Sequence, residues 1–411
     1  MQAKSILIIL LAILSFDFIY SKILEYLNIR SMKEELPEEV KDIYDEEKYK
    51  KSIAYAKANN KFGLLTSSFS FVISFILLAT GFFGWFDQVV SQYFANTELI
   101  SLAFFGMLFI ASDILNIPFQ LYEIFVIEEK FGFNKTTTKT YILDKIKGYL
   151  LTALIGGVIL YVLLKLMNVF GPDFWIYFWV VISAFILFMN MFYTSLILPL
   201  FNKLTPLEDG ELKQAIEDYS NKVKFPLDNI YVIDGSKRSA KSNAFFSGIG
   251  KKKKIVLYDT LMENHSNEEL VAVLAHEVGH FKKKHIITGY FLSILQTGFT
   301  LFIMSLFIFN PEMSKAMGGS QLAIHLNLLA FGILYSPISQ FVGIFMNILS
   351  RKNEYEADAF AKNTYDGKSL QLALKKLSVD NLSNLFPHPA YVFINYSHPP
   401  LLQRLAAMNS K

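Results

Sequence analysis

The chain has no cysteine among its 411 residues. That absence excludes a disulfide framework and any thiolate metal site. Charge is also scarce: Asp, Glu, Lys and Arg make up 18% of the residues, and the formal net charge is only +3. Such a balance leaves no broad basic face for nucleic acid, and none is expected as a partner. The short lysine clusters at Lys251–Lys254 and Lys282–Lys284 read as solvated or lipid-headgroup-facing runs. Internal repeats and low-complexity tracts are missing as well.

What is abundant is apolar surface. Hydrophobic residues reach 53%, with 39 phenylalanines, a composition that belongs in a bilayer. Runs near the roughly 20 residues needed to span one occur at Ser5–Tyr26, Gly63–Phe86, Leu99–Phe119, Tyr149–Met167, Phe174–Leu200, Ile286–Phe309 and Gln321–Leu349. The first lacks a small-residue cleavage site and runs on into a charged stretch, so it reads as an anchor and not as a signal peptide. Lys and Arg fall in alternate connections: nine in 21–62, five in 119–148, fourteen in 201–285 and eight in 350–411. The intervening connections 87–98 and 168–173 have none, and 310–320 has only Lys315. By the positive-inside rule the N-terminus lies outside and the C-terminus in the cytosol. The expected division is a membrane domain over residues 1–200, a cytosolic region 201–285, a membrane pair 286–349 and a C-terminal segment 350–411.

Near the centre, Leu270–Lys282 reads LVAVLAHEVGHFK and contains His276-Glu277-x-x-His280. Residues four apart on a helix share a face, so both imidazoles can reach one ion, with Glu277 beside a water held there. Ser266 followed by Glu269 forms a capping box that starts this helix. Catalytic zinc takes three protein ligands and leaves a position open. The segment Arg351–Ala359 offers Glu354 and Asp358, four apart on one face, while Glu356 points elsewhere. One of the pair can ligate, and the other can fix a ligating histidine in its tautomer. His276, His280 and Glu354 all fall on the basic side, separated by two spans that go out and return, so they can meet at the cytosolic face.

The rest of the soluble region reads as a helix over Glu208–Val223 and strands at Ile230–Ile233, Asn243–Ile249 and Lys254–Tyr258. A free strand edge at Asn243, Ala244 and Phe245 can pair with an extended peptide, although an ordinary structural strand fits the same residues. Pro399 and Pro400 set an extended approach to a last helix and display His398 just ahead of it, where it can donate to an oxyanion. His265, His285, His325 and His388 lack partner spacing and receive no role. Asp17, Asp113, Glu123, His325 and Gln340 sit in apolar runs. Such groups face a bundle interior or a water-filled cavity, or pair between helices.

Together these motifs resemble the type I CAAX prenyl proteases, integral-membrane zinc endopeptidases, over nearly the whole length. The likeness takes in Leu36-Pro37-Glu38-Glu39, Phe125–Asn134 (FVIEEKFGFN), Ser242–Phe246 (SNAFF), HEVGH, EYEADAFA and SHPPLLQRL. It implies an all-α membrane fold, with seven transmembrane helices forming a barrel around a chamber and a small α+β cytosolic metalloprotease region. It also implies one Zn2+ per chain on His276, His280 and Glu354, with Glu277 as general base and Asp358 supporting a ligand. Arg351 and His398 would stabilise or position substrate, and Asn243–Phe245 would bind its backbone. The implied substrate is a peptide or prenylated protein that loses its last three residues. The protein is expected to be monomeric and multi-pass in a bacterial cytoplasmic or endoplasmic reticulum membrane, with its active site toward the cytosol. The alternative reading is a membrane quality-control metalloprotease without prenyl dependence. A non-enzymatic transporter or receptor has no use for Glu277.

Overall fold

In the computed structural model, which describes residues 2–227, 229–247 and 254–410, the N-terminal half of the chain is a series of helices, some longer and some shorter than the apolar runs that announce them. They are α1 (Ala3–Arg30), α2 (Glu46–Ala79), α3 (Phe82–Ser91), α4 (Thr97–Tyr122), α5 (Thr138–Leu151), α6 (Gly157–Phe170), α7 (Phe174–Leu196) and α8 (Leu198–Phe201). Side-chain caps set the starts of α2, α4 and α5. Asp45 accepts from Lys48 N at 2.6 Å, Asn96 from Leu99 N at 3.0 Å and Thr137 from Thr140 N at 3.1 Å, each satisfying an orphan amide. For α2 the cap lies well upstream of the expected Gly63. Its first turns are a polar, Lys- and Glu-rich helix that hydropathy alone cannot register.

Among the described residues, six continuous helical stretches are long and apolar enough to cross a membrane. The fourth, Thr138–Phe201, has 64 residues and contains two of the seven expected runs. It reverses at Gly171–Asp173, where Gly171 has φ +53°, a left-handed conformation that favours glycine. Polar groups within these helices pair with one another. Asp17 accepts from Gln340 at 3.0 Å and from Ser336. Asp113 pairs with Lys145 at 2.5 Å and accepts from Tyr149. His325 lies 2.9 Å from Asp87 and 3.1 Å from Ser101.

Beyond the fifth expected run come β1 (Leu204–Pro206), α9 (Glu211–Lys222), β2 (Asn229–Ile233), β3 (Ala244–Ser247), β4 (Lys254–Tyr258), α10 (Asp259–Asn264) and α11 (Asn267–Lys282). The sheet has the order β1-β2-β4-β3, with β2 and β4 parallel and the outer pairs antiparallel. The expected strand over Asn243–Ile249 is seen as Ala244–Ser247, and Gly248 and Ile249 lie outside the described residues, as do Lys251–Lys253. The chain then returns through α12 (His285–Phe307), α13 (Pro311–Ala316) and α14 (Ile324–Thr364). It ends with α15 (Gly367–Asp380), α16 (Pro389–Asn395) and α17 (Leu401–Asn409).

Two elements position the site. Helix α11 is buried on nearly every side: Leu270, Val271, Leu274, Ala275 and Val278 are each 2% exposed or less. It packs in one core with Ile230, Ile255 and Leu257 of the sheet and Leu370 of α15. Each buried leucine, isoleucine or valine among them contributes about 1.5–3 kcal/mol, so α11 is the fixed axis of the soluble region. Helix α14 has 41 residues and is about 60 Å long at 1.5 Å per residue. It runs out of the apolar region and delivers Glu354 and Asp358 at its far end.

Candidate active site

The glycine inside HEVGH is where α11 crosses α14. A Cβ on Gly279 would sit 3.0 Å from Ala357 Cα and 3.1 Å from both Ala357 O and Phe360 Cβ. Only the missing side chain lets the two backbones come so close. His276 and His280 lie three residues before and one after Gly279, and Glu354 and Asp358 stand in the same relation to Ala357. The crossing therefore sets two pairs of polar side chains face to face. The frame of α11 is fixed at its start by the expected capping box: Ser266 N donates to Glu269 at 3.1 Å, and Glu269 N to Ser266 at 3.4 Å.

Nε2 of His276 lies 3.2 Å from Nε2 of His280 and 3.4 Å from Glu354 Oε2, and His280 Nε2 lies 3.2 Å from Glu354 Oε1. Zinc bonds of about 2.0–2.1 Å at tetrahedral angles separate ligand atoms by about 3.3 Å, so the three side chains already hold the spacing of such a site. Among the described residues this is the one group of His, Asp and Glu compact enough for a metal ion. Glu354 Oε2 is buried with no hydrogen-bond partner among the described residues, an acceptor that a cation would satisfy. The residues present thus fit the group.

The imidazoles are held from behind. His276 Nδ1 lies 2.8 Å from Asp358 Oδ1, and Asp358 in turn accepts from Arg404 Nε at 2.8 Å and Nη2 at 2.6 Å. Asp358 is 2% and Arg404 8% exposed, so this is a dry, charge-assisted clamp. With its proton on Nδ1, His276 turns the Nε2 lone pair toward Glu354 and His280. In the metal-free protein, burial disfavours a charged His276, but the bonds to Asp358 and Glu354 outweigh it and raise the pKa to about 9.

Glu277 occupies the next position on α11. Enclosure by protein pushes its carboxyl above the usual carboxylate range, against the pull of His276 and His280. His398, exposed at the approach to α17, brings Nε2 to 3.4 Å from Glu354 Oε1 and rests Nδ1 3.0 Å from Ser397 Oγ. Arg351 stands apart from this group. Its Nη1 donates to the carbonyls of Val392 at 3.1 Å and Tyr396 at 2.5 Å, tying down the end of α16 just before His398. Arg404 is thus the arginine that touches the ligand cluster, and sequence reasoning alone gives it no role. The one available signal is a lone arginine in the apolar run LLQRLAAM.

Ala244 and Phe245 lie on β3, which among the described residues pairs on one side only, with β4. The exposed Asn243 precedes it, with its Oδ1 2.8 Å from Ala244 N. The strand lies alongside α11 and α7. The approach to it is bolted to the segment after α4. Lys135 N donates to Arg238 O at 3.1 Å and Ala240 N to Phe133 O at 3.0 Å. Lys241 pairs with Glu128 at 3.0 Å, and Tyr55 packs edge-on against Phe131 and Phe133.

Comparison with known proteins agrees along the full length. Residues 25–203 match the family described as CAAX prenyl protease N-terminal, five membrane helices, and residues 206–411 match peptidase family M48. The chain is 36% identical to CAAX prenyl protease 1 of Saccharomyces cerevisiae, covering 96% of this chain and 93% of that one. It is 32% identical to the Homo sapiens CAAX prenyl protease 1 homolog, covering 91% and 89%. The crystal structure of S. mikatae Ste24p superposes with a TM-score of 0.91 at 36% identity, over 98% of this chain and 99% of that one. The chain therefore belongs to the CAAX prenyl proteases of peptidase family M48 and is a multi-pass membrane metallopeptidase.

Proposed function

We propose that the protein is a zinc-dependent endopeptidase that removes the last three residues of CAAX-type prenylated proteins at the cytosolic face of its membrane. The observation that carries this reading is the tetrahedral spacing of His276, His280 and Glu354, with Glu277 next to His276 on the same helix. One Zn2+ per chain would be held by these three residues, and when bound it supplies Lewis acidity toward a water and the scissile carbonyl. All three ligands come from one chain, so the site is complete in a monomer. Its basic surroundings follow membrane orientation and leave nucleic acid without a role.

The remaining chemistry is assigned to the protein's own groups. Glu277 takes the proton of the attacking water and hands it to the leaving amine, a role that its place next to His276 on α11 suits. His398 donates to the developing oxyanion or to a substrate carboxylate. Asp358 holds His276 in its ligating tautomer, and Arg351 steadies the loop that presents His398. Asn243, Ala244 and Phe245 hold the substrate backbone at the open edge of β3. For the membrane domain we read the turn at Gly171–Asp173 as the division of the fourth stretch into two crossings, which gives seven helices around a chamber. The alternating Lys and Arg counts support a cytosolic site, and the membrane and soluble regions meet near residues 200, 285 and 349.

Glu277→Gln is the test of the mechanism. Turnover should disappear while zinc stays bound at one per chain. Wild-type cleavage by that variant would remove Glu277 from the chemistry.

A further inference from the structure

We infer that His285 and Glu356 are positioning residues for His280, forming a relay parallel to the one that Asp358 and Arg404 make for His276. This inference rests on the metallopeptidase reading above and extends it to two residues outside the zinc motif. His285 Nδ1 lies 3.1 Å from His280 Nδ1, and His285 Nε2 lies 3.2 Å from Glu356 Oε2. The His280 side chain is 18% exposed, that of His285 9% and that of Glu356 38%, so the line runs from the half-buried ligand through an enclosed ring to the protein surface. At its outer end Lys352 Nζ is 3.8 Å from Glu356 Oε1.

One set of tautomers satisfies every contact. With the His280 Nε2 lone pair turned to the ion, the ring proton is on Nδ1 and is donated to His285 Nδ1. The His285 proton is then on Nε2 and is donated to the Glu356 carboxylate. Each group fixes the ring orientation of the one before it.

The backbone makes this contact possible. On an unbroken helix, residues five apart point about 140° away from each other. Here α11 ends at Lys282, and Lys284 adopts a left-handed φ of +62° before α12 begins at His285. A non-glycine residue in that conformation is uncommon and costly. Its effect is to fold His285 back over His280, with ring centroids 5.2 Å apart and planes at 74°. Glu356 is two residues from Glu354 on α14 and so addresses the first residue of α12 instead of the ligand cluster.

The test is zinc affinity of the full-length, detergent-purified protein by chelator competition, together with the visible spectrum of the Co2+-substituted form. His285→Ala should weaken zinc binding by about 10- to 100-fold and shift the cobalt bands, with the metal-free melting temperature little changed. His285→Gln, whose amide can both accept from His280 and donate to Glu356, should recover most of that loss. Glu356→Ala, at a half-exposed position where folding is not at stake, should weaken zinc binding in the same direction. Wild-type affinity and spectrum in both His285→Ala and Glu356→Ala would overturn the relay, provided that His280→Ala loses its zinc. If His280→Ala also keeps zinc, the metal assignment itself falls and the relay with it.

Discussion

Arg404 grips the Asp358 carboxylate with two donors, at 2.6 and 2.8 Å, while the same carboxylate lies 2.8 Å from His276 Nδ1. A residue from the last helix thereby controls the orientation of a ligand on α11. Arg404→Ala should lower zinc affinity by about 10- to 100-fold and destabilise the fold by about 3–5 kcal/mol, because it takes the guanidinium partner from the buried Asp358 carboxylate. Arg404→Lys should not restore either, since an ammonium cannot reproduce the two-pronged contact. Chelator competition and thermal melting measure the two effects; wild-type zinc affinity in Arg404→Ala would remove the clamp from the account.

Arg351 should behave differently. Its partners are carbonyls at the end of α16, so Arg351→Ala loosens the segment that carries His398 and leaves the metal ligands alone. The expected signature is a lower kcat/KM, by about tenfold or 1.4 kcal/mol, with zinc affinity unchanged. A parallel loss of zinc would show that Arg351 belongs to the ligand cluster after all.

The Gly279 crossing is a packing prediction. Gly279→Val must push away Ala357 and Phe360, which would stand only 3.0–3.1 Å from the new Cβ, separating His276 and His280 from Glu354. Zinc per chain should fall well below one, and activity with it. Gly279→Ala, needing only a few tenths of an ångström, should keep zinc and lose some of the activity. Full zinc occupancy in Gly279→Val would mean that the crossing can relax without disturbing the site.

His276 gives the pH dependence of the metal-free protein. Its folded pKa, raised from 6.5 to about 9, contributes stability that is fully present below the unfolded value and is lost as pH rises through the folded one. The metal-free melting temperature should therefore decline between pH 6.5 and 9, and zinc affinity should rise over the same range as the competing proton leaves. The zinc-loaded form should lack this decline. A flat metal-free profile would contradict the buried, carboxylate-paired His276.

The features of the site that sequence made legible are those encoded locally. The four-residue spacings of His276 with His280 and of Glu354 with Asp358 need only a helix, and Ser266 with Glu269 marks where one begins. Arg404 and the His285–Glu356 pair depend on how distant helices pack and on the left-handed Lys284, and no periodicity announces either. The fold shows the same division. Apolar runs located the membrane helices, but the polar extension of α2 and the three-residue β1 carry no hydropathy or alternation signal. The reversal at Gly171 marks the boundary between two runs, whereas the helical stretch around it is continuous enough to read as one.

Hydrolysis of a prenylated C-terminus is the activity proposed for this site. Its most direct test gives the purified, detergent-solubilised protein one C-terminal peptide with and without a farnesyl thioether, and identifies the products by mass. The farnesylated peptide should lose three residues, the bare peptide should be spared, and a chelator should stop the reaction until zinc is restored. Equal cleavage of both peptides would keep the metal chemistry but make the lipid incidental and favour a quality-control role, and no cleavage of either would contradict the proposed activity.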